Sequence, residues 1–403
     1  MEPVATTEVT KGPVSVKSWV LGAREQEVKR ENRLRQQRQA RAKKIDRART
    51  SNAEEVETVF EGNVEDFEGA APETCAGMEE ENEEEVAAEA KQQPLQEMQL
   101  EEPQFRKSIP SQGHSKADEV RARLSFPEPM LGRPPDLSLS WVCAAKPQGI
   151  RCLLQAHAKS KCTSTTVIGA HLHSFSAKLP IGTMFDCIFS PLLQTYFIVD
   201  CLAWGGLGYE QGTEFEFRQF WLSSKLSEGI RSDFALSPLN FNSCERDGLM
   251  AAYSLAQQGP NRDGLLFFHK EADYDAGQTP LVLYWYDQFC SSRLSAMVQS
   301  GEQCAYLIPD AATPGCEGAN VLLRTHDGVP LCESAPPPSP NLLVHCFFNS
   351  VGFDENGHPR IHDVRVDGFV SYLEKAADTW GQVMFEAGAM STQLVAIAHL
   401  LSE

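Results

Sequence analysis

The sequence predicts an α+β fold, an antiparallel two-sheet domain preceded by a charged N-terminal region that is disordered by composition apart from one basic helix. Three observations predict it. Phe185 to Leu226 and Asp263 to Val282 alternate apolar with polar residues and are rich in Phe, Tyr, Val and Ile, the pattern of half-buried strands. Charge is segregated: residues 24–49 are strongly basic, and residues 51–102 are strongly acidic with Lys91 the only base among them. Apolar content rises only from about Leu124.

In chain order, residues 1–23 form a flexible N-terminus whose one apolar cluster is Trp19-Val20-Leu21. Residues 24–49 are Arg, Gln, Lys, Ala and Glu uninterrupted by Gly or Pro, and predict a helix. Its apolar positions are few (Val28, Leu34, Ile45), so alone it is marginal. Residues 50–123 form an acidic linker punctuated by Pro72, Pro94, Pro103 and Pro110. A domain over 124–290 follows. Its strand candidates are Leu139 to Ala144, Arg151 to Ala156, Phe185 to Phe189, Thr195 to Leu202, Glu214 to Trp221 and Leu265 to His269. The remainder, 291–403, reads as a C-terminal extension. It has strands at Cys304 to Ile308, Val321 to Thr325, Leu342 to Phe348 and Ile361 to Val366, a proline-rich loop at 335–340, and helical spacing over 369–401. It either completes the same domain or adds a second lobe.

Composition narrows the class. The chain has 403 residues, a formal charge of −19 and twelve cysteines. No apolar run reaches the roughly 18 residues a membrane helix needs, and Met1-Glu2-Pro3 does not open a secretory pattern. No cysteine lies at zinc-finger or Cys-x-x-Cys spacing, so reduced, buried thiols are expected and neither metal nor cofactor is implied.

A family resemblance rests on Asp186-Cys187-Ile188, Gln194-Thr195-Tyr196, Val199-Asp200, Trp204, Phe215, Phe217, Trp221 and Ser224-Lys225-Leu226. It continues through Asp263-Gly264-Leu265-Leu266-Phe267, His269-Lys270 and Thr279-Pro280-Leu281-Val282. Over roughly residues 124–286 the chain resembles the snurportins. The resemblance implies a nucleotidyltransferase-like domain that binds the trimethylguanosine cap of small nuclear RNAs. It also implies import of the capped ribonucleoprotein into the nucleus by importin-β, recycling by an exportin, and shuttling between cytoplasm and nucleus without membrane association. Residues 30–44 resemble the importin-β-binding segments of snurportin and importin-α, and Arg30, Arg33, Arg35, Arg38, Arg41 and Lys44 would make the receptor contacts. The plainer reading is a solvated basic tail or a nonspecific RNA-binding arm. The acidic tract is expected to fold back on the arm and mask it.

A cationic methylated guanine requires an aromatic face, and its phosphates require cations. In the family a tryptophan stacks on the cap just after the Thr-Pro-Leu-Val strand. Ungapped, Tyr284 takes that place and Trp285 points to the opposite face. A one-residue bulge would present Trp285 instead, so both are candidates, and the plainer reading places both in the core. Arg151, after Pro147-Gln148-Gly149-Ile150, stands where the family has a phosphate-facing arginine. Two departures bear on methyl preference: Pro129 follows Glu128 where the family has tryptophan, and Thr166-Val167-Ile168 replaces a lysine. Lys159 and Lys161 lie near enough in sequence to compensate. Asp186 and Asp200, on strands, are read as structural carboxylates.

The rival is an active guanylyltransferase, which would attach GMP to the lysine of a Lys-x-Asp-Gly motif. Two places before the Asp-Gly pairs at 247, 263, 327 and 367 stand Glu245, Asn261, Thr325 and Arg365. Arginine cannot serve as that nucleophile. No catalytic residue is expected.

Overall fold

The strand Leu265–His269 is buried at every position, which places it inside a sheet covered on both faces. In the computed structural model it is β11, joined by β1 (Ser125–Pro129), β2 (Trp141–Ala145), β10 (Asn242–Ser243) and β12 (Gly277–Trp285) in the order β1-β12-β11-β2-β10. A second sheet contains β3 (Ile150–Ala156), β4 (Lys161–Thr166), β5 (His171–Ser176), β6 (Met184–Ser190), β7 (Thr195–Trp204) and β8 (Leu207–Gly208), ordered β5-β4-β3-β6-β7-β8. Strand β9 (Ala235–Pro238) adds to β7 in parallel. Ala144, Val282, Leu266 and Phe268 of the first sheet pack with Ile188 and Val199 of the second. The antiparallel two-sheet α+β architecture expected from the sequence is thus what forms. The residues described are 16–60, 116–208, 212–259, 263–310, 320–326, 328–339, 342–355, 357–371, 375, 377–391 and 397–401.

Glu214 to Trp221, expected as a strand, is instead the first half of helix α4 (Phe215–Ser227). The Phe-Glu-Phe alternation has period two, but burial has helical spacing: Phe215, Arg218 and Leu222 are buried, whereas Phe217 and Phe220 face solvent. Arg218 decides the matter. Its guanidinium makes a paired contact with Asp200 on β7, 2.9 and 2.8 Å, and only a helix delivers it there with Phe215 on Phe268. The Leu139 candidate also shifts, because a turn of helix (Leu137–Ser140) precedes β2.

Beyond β12, helix α6 (Ser292–Ser300) leads into β13 (Gln303–Pro309), β14 (Val321–Arg324), β15 (Pro330–Ser334) and β16 (Leu342–Phe348). The hairpin β17 (Ser350–Phe353) and β18 (Pro359–His362) is followed by β19 (Arg365–Ser371). The order β15-β14-β13-β16-β19 puts the first strand in the centre. Residues 303–307 pair with β16, while Ile308 and Pro309 pair with β14. Ile361 to Val366, expected as one strand, is broken at Asp363 (φ 56°) into β18 and β19. The helix expected over 369–401 is corrected as well. Residues 369–371 belong to β19, and helix α7 begins at Trp380, running to Ser391. Val370 and Phe369 pair with Leu343 and Val344, a tertiary partner that outweighs helical spacing.

The core does not break at residue 290. Trp141, Trp285 and Tyr286 share one apolar cluster with Leu294, Met297, Cys304, Phe385 and Leu400. Arg293 on α6 adds a charged link, donating to Asp378 (2.6 Å) and pairing with Glu386 on α7 (2.8 Å). Among the described residues, those from 116 onward form one compact unit with the N-terminal helix as far as Ile45. The ten described cysteines are buried free thiols. No described helix is long and apolar enough to cross a membrane, and the described residues contain no cluster able to hold a metal.

Candidate functional site

The turn Pro147-Gln148-Gly149 closes against β6 so tightly that a Cβ on Gly149 would meet the Phe189 carbonyl oxygen at 2.2 Å, which only glycine avoids. The turn sets Lys146 at the end of β2 and Arg151 on β3 in the lining of one cavity of about 170 Å³. Phe126, Arg151, Val167, Tyr284 and His326 are among the residues that line it.

Tyr284 and Trp285 separate as strand alternation requires. Tyr284 lines the cavity, half-buried and stacked on Tyr286 at 5.7 Å. Trp285 is fully buried in the core against Tyr253, and β12 has no bulge there: it pairs with Leu265 in regular register. The stacking candidate is therefore Tyr284. Arg151 reaches the cavity but is already engaged. Its Nε and Nη2 donate to Asp186 at 2.5 and 2.6 Å, and Tyr274 donates to the same carboxylate at 2.9 Å. Burial pushes the Asp186 carboxyl up and Arg151 pulls it down; the geometry is that of an ion pair. Asp186 and Asp200 each sit in such a pair, which is the structural role read from the sequence. Lys161 does not join the site. It is an exposed residue at the start of β4, paired with Ser176, outside the cavity lining.

The departures from the family pattern have structural counterparts. Pro129 is buried beneath the N-terminal helix, and Phe126 lines the cavity three residues earlier. Val167 forms an apolar wall of the cavity.

Two titratable lining residues, Lys146 and His326, were not singled out from the sequence. Lys146, ion-paired with Asp263, escaped a search keyed to Asp-Gly pairs, because Gln148 precedes Gly149. Its Lys-x-x-Gly spacing was the available signal. His326 comes from the β14–β15 turn of the extension and tilts against Phe126 at 5.2 Å. Neither of its ring nitrogens has a partner among the described residues, and burial lowers its pKa to about 3. Nothing local marks His326; only the packing of the extension brings it here.

The basic arm lies within α1 (Val16–Phe60). Its buried stripe is Gln26, Arg30, Leu34 and Gln37, helical spacing carried almost wholly by polar residues. Leu34 packs with Ala272 and Leu281, while Val28 and Ile45 face solvent. Arg33 makes a two-point contact with Asp275 (2.8 and 2.6 Å), Arg38 binds Glu271 (2.7 Å), and Arg41 binds Asp273 (2.6 Å). Arg30 lies over Trp141 at 5.5 Å, and Lys44 passes close to Gly212. Arg35 is exposed. The arm is therefore covered in part by acids of the folded domain; the acidic tract beyond Phe60 lies outside the described residues.

Residues 123–286 match the family model of the Snurportin1 m3G cap-binding domain. Over this segment the chain is snurportin-like. The snurportin-like segment holds both sheets with Arg151 and Tyr284, and ends before the extension that supplies His326. Among solved structures, similarity is found to a Lig E DNA ligase described as DNA binding with a minimal scaffold (14% identity, 60% of this chain, 100% of that chain, TM-score 0.28). It is also found to a mycobacterial DNA ligase D complexed with ATP and MES (11% identity, 65% and 99%, TM-score 0.31). A third is the ligase domain of M. tuberculosis LigD (11%, 63% and 95%, TM-score 0.30). At these TM-scores the likeness says nothing of chemistry.

Proposed function

We propose that this protein binds the trimethylguanosine cap of small nuclear RNA and serves as an adaptor for importin-β-dependent nuclear import, moving between cytoplasm and nucleus. The observation that carries the cap reading is Tyr284: an aromatic side chain in the wall of a cavity built mostly by the snurportin-like segment, which the cations Lys146 and Arg151 also line. The ring offers a face to a cationic base. Lys146 and Arg151 supply positive charge for phosphates, and the apolar wall of Val167 and Ile188 leaves room for methyl groups rather than hydrogen-bond donors. The test is fluorescence quenching of the full chain by trimethylguanosine cap dinucleotide, competed with monomethylguanosine cap and GTP. Selective quenching abolished in Tyr284→Ala and retained in Tyr284→Trp is the expected result. Equal or absent binding of all three ligands refutes cap recognition.

What supports the import role is the arm. Arg33, Arg38 and Arg41 already bind a row of carboxylates through the guanidinium geometry that an acidic receptor would use. Importin-β would compete for those same groups, and an exportin would return the adaptor.

A second reading has one specific observation behind it: Lys146 faces the cavity at Lys-x-x-Gly spacing. We read it as a phosphate contact rather than a nucleophile, because its ammonium is tied to Asp263. Incubation with radiolabelled GTP decides. A covalent adduct lost in Lys146→Ala would establish nucleotidyl transfer; absence of label under conditions of cap binding leaves a binding protein.

A further inference from the structure

A larger groove of about 720 Å³ lies beside the cap cavity, and Lys146, Gly149, Asp263, Ala377 and Gln382 line both. Its far wall is one face of the extension's sheet. On β13 and β16, Ala305, Leu307, Val344, Cys346 and Phe348 are buried toward the core, so the alternate residues Tyr306, His345 and Phe347 point into the groove and stay half-buried. They form a continuous row. Tyr306 stacks on His345 at 4.4 Å and 19°, and His345 meets Phe347 edge-on at 5.1 Å. A cation caps each end: Lys375 Nζ lies 5.0 Å over Tyr306, and the Arg365 guanidinium 4.8 Å over Phe347.

We propose that this groove binds single-stranded RNA, namely the nucleotides that immediately follow the cap. The inference rests on the cap reading for its direction, since a chain leaving a cap held at Tyr284 would pass the residues the two cavities share. The chemistry is stacking. Partly exposed aromatic rings on a sheet face suit bases of any identity. The other charges in the groove are already paired: Asp263 with Lys146, Asp378 with Arg293, and Glu302 with Arg365. Lys375 supplies the groove's own positive charge, so binding along it weakens as salt rises. No part of this row lies in the segment matched by the family model.

The experiment compares three ligands on the full chain: the cap dinucleotide, the same cap followed by a short unstructured RNA, and that RNA uncapped. The capped oligomer is expected to bind roughly tenfold more tightly than the dinucleotide. In Tyr306→Ala and in Lys375→Glu the gain disappears while dinucleotide affinity holds; the second, on a side chain outside the core, guards against misfolding in the first. A capped oligomer that binds no better than the dinucleotide overturns the proposal. So does a gain that survives both substitutions. If the dinucleotide does not bind, the cap reading has failed and photocrosslinking decides. Uncapped 4-thiouridine RNA crosslinked to Tyr306, His345 or Phe347 upholds the groove, and crosslinks only elsewhere overturn it.

Discussion

At the residue scale, Tyr284 and Trp285 show how much one position in a strand decides. Both are large aromatics and adjacent, yet one faces a cavity and the other fills the core. Trp285→Ala should cost about 3–5 kcal/mol of stability, as truncation of a buried aromatic does, measured by denaturant unfolding. Tyr284→Ala should spare stability by comparison and remove cap quenching. His326 adds a pH dependence. Its folded pKa, about 3, lies below the unfolded value near 6.5, because burial and the nearby Arg121 disfavour the imidazolium. As pH falls from 6.5 toward 3 the unfolded chain takes up the proton first. Wild type should therefore lose about 1.4 kcal/mol per pH unit relative to His326→Gln, in urea melts across that window. A parallel decline in the two proteins contradicts a neutral, buried imidazole. The Thr-Pro-Leu-Val register narrowed the choice to Tyr284 or Trp285, whereas His326 had no sequence signal, since its neighbours in the cavity are some forty to two hundred residues away.

At the element scale, α1 is the clearest lesson. A scan for apolar periodicity finds too little to dock it, because the stripe facing the domain is Gln26, Arg30, Leu34 and Gln37. The partners are supplied by the loop 271–275, which gathers Glu271, Asp273 and Asp275 within reach. Contacts of this kind are partly exposed and sensitive to salt. The double substitution Asp273→Ala, Asp275→Ala should loosen the arm, speeding tryptic cleavage between Arg24 and Arg41 severalfold. Raised salt should do the same to wild type. Cleavage rates unchanged by both would mean that apolar contact at Leu34 holds the helix. Helix α4 teaches the complementary point: its alternating phenylalanines suggest a strand until Arg218 is seen to meet Asp200 across the sheet. Period-two patterning in eight residues does not register a partner on another element.

At the scale of the whole molecule, the extension is part of the cap domain's core. Leu294, Met297, Phe385 and Leu400 cover Trp141 and Trp285, and Arg293 holds α7 through Asp378 and Glu386. Truncation after residue 290 should therefore give a chain that exposes this surface, binds the dye ANS and fails to melt cooperatively. A soluble, cooperatively folding fragment 114–290 would show instead that the core is divisible. The sequence by itself determined the local facts: the charge segregation, the central strands of both sheets, the arm's helix, and a register that left Tyr284 and Trp285 as alternatives beside Arg151. Composition and alternation specify these because each depends on neighbours a few residues away. The tertiary structure alone decided that the arm lies against Glu271, Asp273 and Asp275, that Asp186 and Asp200 are matched by Arg151 and Arg218, and that His326 closes the cavity. Such contacts join residues tens to hundreds of positions apart, and their energies come from desolvation and geometry that no window of sequence contains.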